Sequence, residues 1–279
     1  MRRREFIGAG ALATAPGVSA GTGKTCIILV MTGGASQLDT FDPKPEAPSD
    51  IRSPFRAIRT SAPEIQISEL FPNLARQAHR FSLLRSMYCP EELLHEEAVR
   101  TALGRFRCDA TEVACPAGMG GERYGKSRFG DACLAARLQI EAGAKCVTVP
   151  MFDTVYGTPS WDNHGYGPFS SMATYRNHTG PVFDKAASAL IADLAERGLL
   201  ENTLLVALTE FGRTPKINPQ GGRDHWPGCW TTLLAGGGIA GGQILGTSDE
   251  KATGPRDNPT TPKMLLELIS RTLTSPAQS

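Results

Sequence analysis

"TCIILVMT", Thr25 to Thr32, places six apolar side chains in succession between two threonines. The run does not alternate, so a strand built from it must be covered on both faces. Strands of that kind belong to parallel sheets flanked by helices. Four further stretches read as strands: "RFSLLRSM" (Arg80–Met87), "AKCVTVPMF" (Ala144–Phe152), "NTLLVALT" (Asn202–Thr209) and "CWTTLLAGGG" (Cys229–Gly238). Between them the spacing predicts helices over Glu69–Ala78, Glu91–Leu103 and Ser127–Ala142, the last stopped by Gly143. Two more are predicted over Pro181–Arg197, stopped by Gly198, and over Thr261–Leu273, with Pro262 in its first turn. The order β–α–β–α–α–β–α–β–β–α predicts an α/β fold with a central, mostly parallel sheet and helices on both faces.

The chain has 279 residues, 41% hydrophobic and 20% charged, with a net charge of +1. That length suits one large domain over residues 21–279. No run of about 18 apolar residues supports a stable membrane span. No basic stripe points to nucleic acid. Residues 1–20, "MRRREFIGAGALATAPGVSA", have a basic start, a weakly apolar middle and a small-residue end. This is a secretory signal layout. Arg3-Arg4-Glu5-Phe6-Ile7 resembles a twin-arginine signal, which predicts export to the periplasm or cell envelope. Seven cysteines occur, none in a C-x-x-C pair, and Cys108 and Cys115 are the two that could pair after export. "GTGKT" (Gly21–Thr25) lacks the earlier glycine of a phosphate loop, Val18 standing there, and it precedes its strand. The Gly-rich Ala235–Gly246 reads as a hairpin or loop, not as a dinucleotide site.

Ligands of open α/β sheets bind at the carboxyl ends of the strands. Asp39 and Asp42 follow the first strand. Asp153, Asp162 and His164 follow "AKCVTVPMF", the last two within "WDNHG". Glu210, Asp224 and His225 follow "NTLLVALT". Crowded carboxylates repel, and a divalent cation neutralises them. Mixed Asp, Glu and His donors suit Zn, Mn or Fe, or Mg and Ca where oxygen dominates. Arg213 and Arg223 could hold an anionic substrate group or could be ion-pair partners of these carboxylates.

Five stretches then carry a resemblance: "GGASQLDTFDPKPEAP", "RYGKSRFGDACLAARLQIEAG", "WDNHG", "LLENTLLVALTEFGRTPKIN" and "GGRDHWPGCWTTLLAGGGIAGGQILG". Together they resemble a bacterial exported family known as domain of unknown function fifteen-oh-one, grouped with the alkaline phosphatase/sulfatase superfamily. The resemblance implies an alkaline phosphatase-like fold and metal-dependent hydrolysis of phosphate or sulfate esters. An anionic small-molecule or polysaccharide ester would be the substrate, and one or two ions such as Zn, Mn, Mg or Ca would be the cofactor. It implies metal ligands at Asp39, Asp162, His164, Glu210, Asp224 and His225, with Arg213 and Arg223 toward the anion. Two departures stand out. Phe211 occupies a position where the superfamily has a histidine ligand. No nucleophile has a clear match, Ser36, Thr40 and Cys89 being the candidates. The chain is also shorter than typical relatives around residues 105–126, where a substrate-covering insertion normally sits. The alternative that these departures favour is a non-catalytic envelope protein that binds an anionic polymer or a protein partner.

Overall fold

The computed structural model describes residues 23–90, 117–157 and 159–276. The signal layout, the helix expected over Glu91–Leu103, the Cys108–Cys115 pairing and most of the region near 105–126 lie outside the described residues. In chain order the strands are β1 (Thr25–Val30), β2 (Ala57–Arg59), β3 (Gln66–Ser68), β4 (Phe81–Met87), β5 (Cys146–Pro150) and β6 (Thr203–Leu208). They continue with β7 (Gly212–Arg213), β8 (His225–Trp226), β9 (Trp230–Ala235) and β10 (Ile244–Gly246). The helices are α1 (Pro72–Ala75), α2 (Gly121–Tyr124), α3 (Arg128–Glu141), α4 (Met172–Thr174), α5 (Gly180–Glu196) and α6 (Pro262–Thr274).

Six strands form the central sheet in the order β10-β4-β9-β6-β1-β5. β1 is parallel to both neighbours, with Ile28 opposite Thr148 and Val206. β9 runs antiparallel between β4 and β6, and the other five strands share one direction. The sheet is therefore mixed and mostly parallel, as the apolar runs predict. Alternate residues of β1 enter two cores. Ile27 and Leu29 pack with Phe129, Cys133 and Ala136 of α3 and Phe183, Ala186 and Leu190 of α5. Cys26 and Ile28 pack with Leu265 and Ile269 of α6 on the opposite face.

The helix ends follow local chemistry. The Ser127 side chain accepts from Gly130 N and starts α3, and Thr261 accepts from Met264 N and starts α6. α5 continues a helical run that begins at α4, capped by Ser171, and passes through a π turn at Tyr175–Thr179. The helix expected over Glu69–Ala78 is shorter, because Ser68 ends β3 and its N–H is bonded to Thr40 O at 2.8 Å. Only Pro72–Ala75 is α-helical there, followed by a 3₁₀ turn at Ala78–Arg80. The β2–β3 hairpin and β10, strands of three residues each, are too short to show a period. β10 lies in the Gly-rich stretch read as a hairpin or loop. Lys24, in the stretch that mimics a phosphate loop, is buried and its Nζ donates to Gly237 O at 2.9 Å.

α1 has no capping side chain of its own; a distant residue supplies one. Asp184 of α5 is buried and accepts from Asn73 N at 3.0 Å, Asn73 Nδ2 at 2.8 Å and Leu74 N at 2.8 Å. These amides belong to the first turn of α1, where no intrahelical acceptor exists. Replacing Asp184 with Ala should lower stability by roughly 2–4 kcal/mol, since two backbone donors lose their partner inside the protein. Urea unfolding measures this, and a loss below about 0.5 kcal/mol would contradict the capping role.

Candidate metal centre at the sheet edge

β1, β5 and β6 point their carboxyl ends the same way, so the loops that follow them share one edge. After β1, Gly33 and Gly34 turn with φ of +113° and +79°. A Cβ on Gly33 would lie 2.5 Å from Asp162 N, and one on Gly34 would lie 2.3 Å from Phe211 Cε2. These two positions therefore need glycine both for the turn and for the closeness of the neighbouring loops.

Trp161 anchors the loop that follows β5. It is fully buried, its N–H donates to Thr32 O at 3.0 Å, and Tyr175 Oη donates to its carbonyl at 2.6 Å. Asp162 comes next and is delivered to the edge. β7 and β8 pair Arg213 with His225, which sets that imidazole beside Asp162. The loop between them is fixed by Asn218. Its Oδ1 accepts from Gln220 N and Gly222 N, and its Nδ2 donates to His164 O at 3.2 Å and Asp224 Oδ1 at 3.1 Å.

Three of the six expected ligands converge. His164 Nε2 lies 3.0 Å and His225 Nε2 3.3 Å from Asp162 Oδ1, and the two imidazole nitrogens are 3.3 Å apart. Among the described residues this is the group of acidic and imidazole side chains placed so as to hold a metal ion. Metal–ligand bonds of about 2.0–2.1 Å in tetrahedral geometry put donor atoms roughly 3.3 Å apart. The donor set, one carboxylate oxygen and two imidazole nitrogens, fits a divalent cation. The His225 side chain is 51% exposed, which leaves one side of the cluster open to a ligand.

The other three have different partners. Asp224 lies 3.4 Å from His164 Nδ1, on the far side of that ring from the cluster, where it can orient the imidazole. Glu210 accepts from Gly33 N at 3.2 Å, Gly34 N at 3.0 Å and Thr209 Oγ1 at 3.2 Å, so it locks the glycine turn. Asp39 is fully buried and accepts from Arg223 Nε at 2.8 Å and Ser53 Oγ at 2.7 Å, which ties it to Arg223 and not to the imidazole cluster.

Both arginines form ion pairs with these carboxylates, Arg213 with Asp162 and Arg223 with Asp39. Arg223 and Arg213 are each fully buried. Arg213 Nη2 donates to Asp162 Oδ1 at 2.5 Å and to Gly33 O, its Nε to Gly34 O at 2.7 Å and its Nη1 to Arg223 O at 3.0 Å. Burial alone would push the Asp162 carboxyl up. The hydrogen bond from His225 and the Arg213 guanidinium outweigh it and hold the group below the usual carboxylate range. A depressed carboxyl contributes stability that is fully present above its ordinary range and is lost as pH falls through the depressed value.

Neither Ser36 nor Thr40 faces the cluster as a free hydroxyl. Both are buried, Ser36 Oγ accepting from Asp39 N at 3.2 Å and Thr40 Oγ1 donating to Ser36 O at 2.6 Å. Burial pushes the Cys89 thiol up, away from nucleophilic character. Phe211 packs against His225 with ring centroids 4.3 Å apart and planes tilted by 37°. Sequence reasoning passes over Phe169, which stands 4.8 Å from the His164 ring and is joined by Tyr156 and Tyr166. The available sign was three aromatic residues in a Gly- and Pro-rich loop.

No curated protein matches the chain. Among solved structures it is similar to Ps i-CgsB, at 10% identity and a TM-score of 0.44, covering 91% of this chain and 73% of that one. The complex of Ps i-CgsB with k-i-k-neocarrahexaose gives 10% identity, a TM-score of 0.42 and the same coverage of 91% and 73%. The C-terminal periplasmic domain of EcEptC from Escherichia coli, in complex with Zn, gives 11% identity and a TM-score of 0.47, with 91% and 83% covered. These likenesses are too distant to bear on function. A family model described as "Protein of unknown function (DUF1501)" matches residues 23–105 and 108–279. The chain belongs to that family.

Proposed function

We propose that this chain is an exported, metal-dependent hydrolase of phosphate or sulfate esters, with Asp162, His164 and His225 as the metal ligands. The observation that carries the reading is the convergence of one carboxylate oxygen and two imidazole nitrogens, 3.0–3.3 Å apart, at the carboxyl edge of the sheet. Two imidazoles favour Zn or Mn over Mg or Ca. When bound, such an ion supplies a Lewis acid for the ester oxygens and raises the acidity of water in the site.

The chain's own residues do the rest. Arg213 fixes Asp162 through the same Oδ1 that faces the imidazoles, and Asp224 can hold the His164 ring through Nδ1. Half-exposed His225 forms the open wall through which an ester would enter. Ser36, Thr40 and Cys89 do not stand ready as nucleophiles, so water is the attacking species in this reading. Export rests on residues 1–20, whose Arg3-Arg4 start supports a twin-arginine signal. The short stretch near 105–126 fits a member that lacks part of the covering insertion.

A second reading, a non-catalytic binder of anionic polymer, is favoured by one specific arrangement. Phe211 packs on His225 where a further ligand would be needed for a second ion, and Glu210 is committed to the glycine turn. An ester-hydrolysis panel separates the two. Turnover supports the hydrolase, and tight binding without turnover supports the binder.

Purified protein should take up about one equivalent of Zn or Mn by mass spectrometry, and added ion should raise its melting temperature. Asp162→Ala and His225→Ala should each abolish that shift, and acidification should weaken uptake because protons compete for the imidazoles. A protein whose melting temperature ignores Zn, Mn, Mg and Ca alike would overturn the metal reading.

Asp39→Ala should behave in the opposite manner. It should cost roughly 3–5 kcal/mol of stability, since Arg223 is left buried without its counter-charge, while the stoichiometry of metal uptake stays that of the parent. Denaturant unfolding and metal analysis on the same sample decide between a structural and a ligating Asp39. For export, Arg3→Lys with Arg4→Lys in the full chain should shift the protein from the periplasmic to the cytoplasmic fraction of a bacterial host.

A further inference from the structure

The loop that carries Asp162 and His164 also carries rings that neither the core nor the metal site uses. Phe169 meets the His164 ring at 4.8 Å. Tyr166 meets Phe169 edge to face at 5.7 Å and 89°, and Tyr156 meets it at 5.7 Å. Tyr156 is 65% and Tyr166 50% exposed. Loops in water favour polar side chains, and grouped, exposed aromatic surface beside a polar site marks a place where something binds.

This loop is held in place by its own backbone. Ser170 N donates to Asp162 O at 2.8 Å, Gly165 N to Ser170 O at 3.0 Å and Phe169 N to Tyr166 O at 3.0 Å. Tyr166, Phe169, Asp162 and His164 therefore belong to one fixed piece, and Tyr156 joins it through its ring contact with Phe169. His164 is shared between them, with Nε2 turned to Asp162 and its ring against Phe169. A group placed at the cluster has the aromatic surface about one ring-width away.

We propose that Tyr156, Tyr166 and Phe169 form a ring-stacking subsite for the part of the substrate attached to the ester oxygen. The proposal rests on the hydrolase reading above and names its substrate class: a phosphate or sulfate ester carried on a six-membered ring. The ring is aromatic or a pyranose, since an aromatic face packs against either a π system or a row of C–H groups, and the tyrosine hydroxyls can bond ring hydroxyls.

The test is calorimetric binding to the Zn-loaded full chain of phenyl, glucosyl and glyceryl esters, each as phosphate and as sulfate. Ring-bearing esters should bind roughly tenfold more tightly than the glyceryl ester. Tyr156→Ala and Tyr166→Ala should each remove several-fold of that advantage, leaving Zn uptake and glyceryl ester binding unchanged. Both positions are exposed, so folding should survive, and an unchanged melting temperature confirms it. Preference for phenyl or for glucosyl tells an aryl from a sugar substrate. Equal affinity for all three esters, no binding of any, or a loss of glyceryl ester binding equal to that of the others would overturn the subsite. A ring preference that persists in a protein unable to take up Zn would leave the subsite standing and remove the metal reading instead.

Discussion

The guanidinium of Arg213 is the interaction on which the sheet edge depends. It is fully buried, and a buried cation is tolerated only when its donors are satisfied and its charge is matched. Here Gly33 O and Gly34 O receive it from the loop after β1, Asp162 from the loop after β5, and Arg223 O from the segment before β8. One planar group with five N–H donors thus ties together three loops that are far apart in the chain. Lysine could not make the same set of bonds, since it offers three donors from a single point.

A second buried pair repeats the device one layer back. Arg223 donates to Asp39 through Nε at 2.8 Å and to Ile51 O through Nη2 at 2.9 Å. Asp39 holds Ser53, and Asp50 O accepts from Ile217 N, so the Pro-rich segment after β1 is bound to the loop that leads to His225. Glu210 completes the frame from β6 by taking the amides of Gly33 and Gly34. Asp39 and Glu210, two carboxylates that look like ligands by their place after a strand, therefore build the support beneath the site. Asp162, His164 and His225 form the cluster above that support: Asp162 is buried and tied to Arg213, and His225 is the member that reaches solvent.

Much of this was readable from sequence because burial on both faces leaves a plain mark. Thr25–Val30 and Thr203–Leu208 are apolar without alternation, and they are central strands that pair in parallel with each other. Ser127 and Gly143 bounded α3 correctly because caps act over one turn. β2, β3 and β10 were not readable, since three residues carry no period. The helix expected over Glu69–Ala78 was too long for a related reason: Ser68 is claimed by a backbone bond to Thr40, a partner 28 positions earlier in the chain.

The sequence by itself determined the α/β class, the edge at which charged residues gather, and the "WDNHG" and "GRDHWP" segments that meet there. These follow from local pattern: apolar runs, glycine turns and the rule that strand ends host ligands. Only the tertiary structure decided which charges pair with one another and which gather with the imidazoles. Asp39 and Asp162 look alike in sequence, each a carboxylate after a buried strand. Their roles diverge because Arg223 reaches both oxygens of Asp39, whereas Asp162 keeps one oxygen shared among Arg213, His164 and His225. Charge pairing across some 180 positions is set by three-dimensional distance, and no local pattern encodes it.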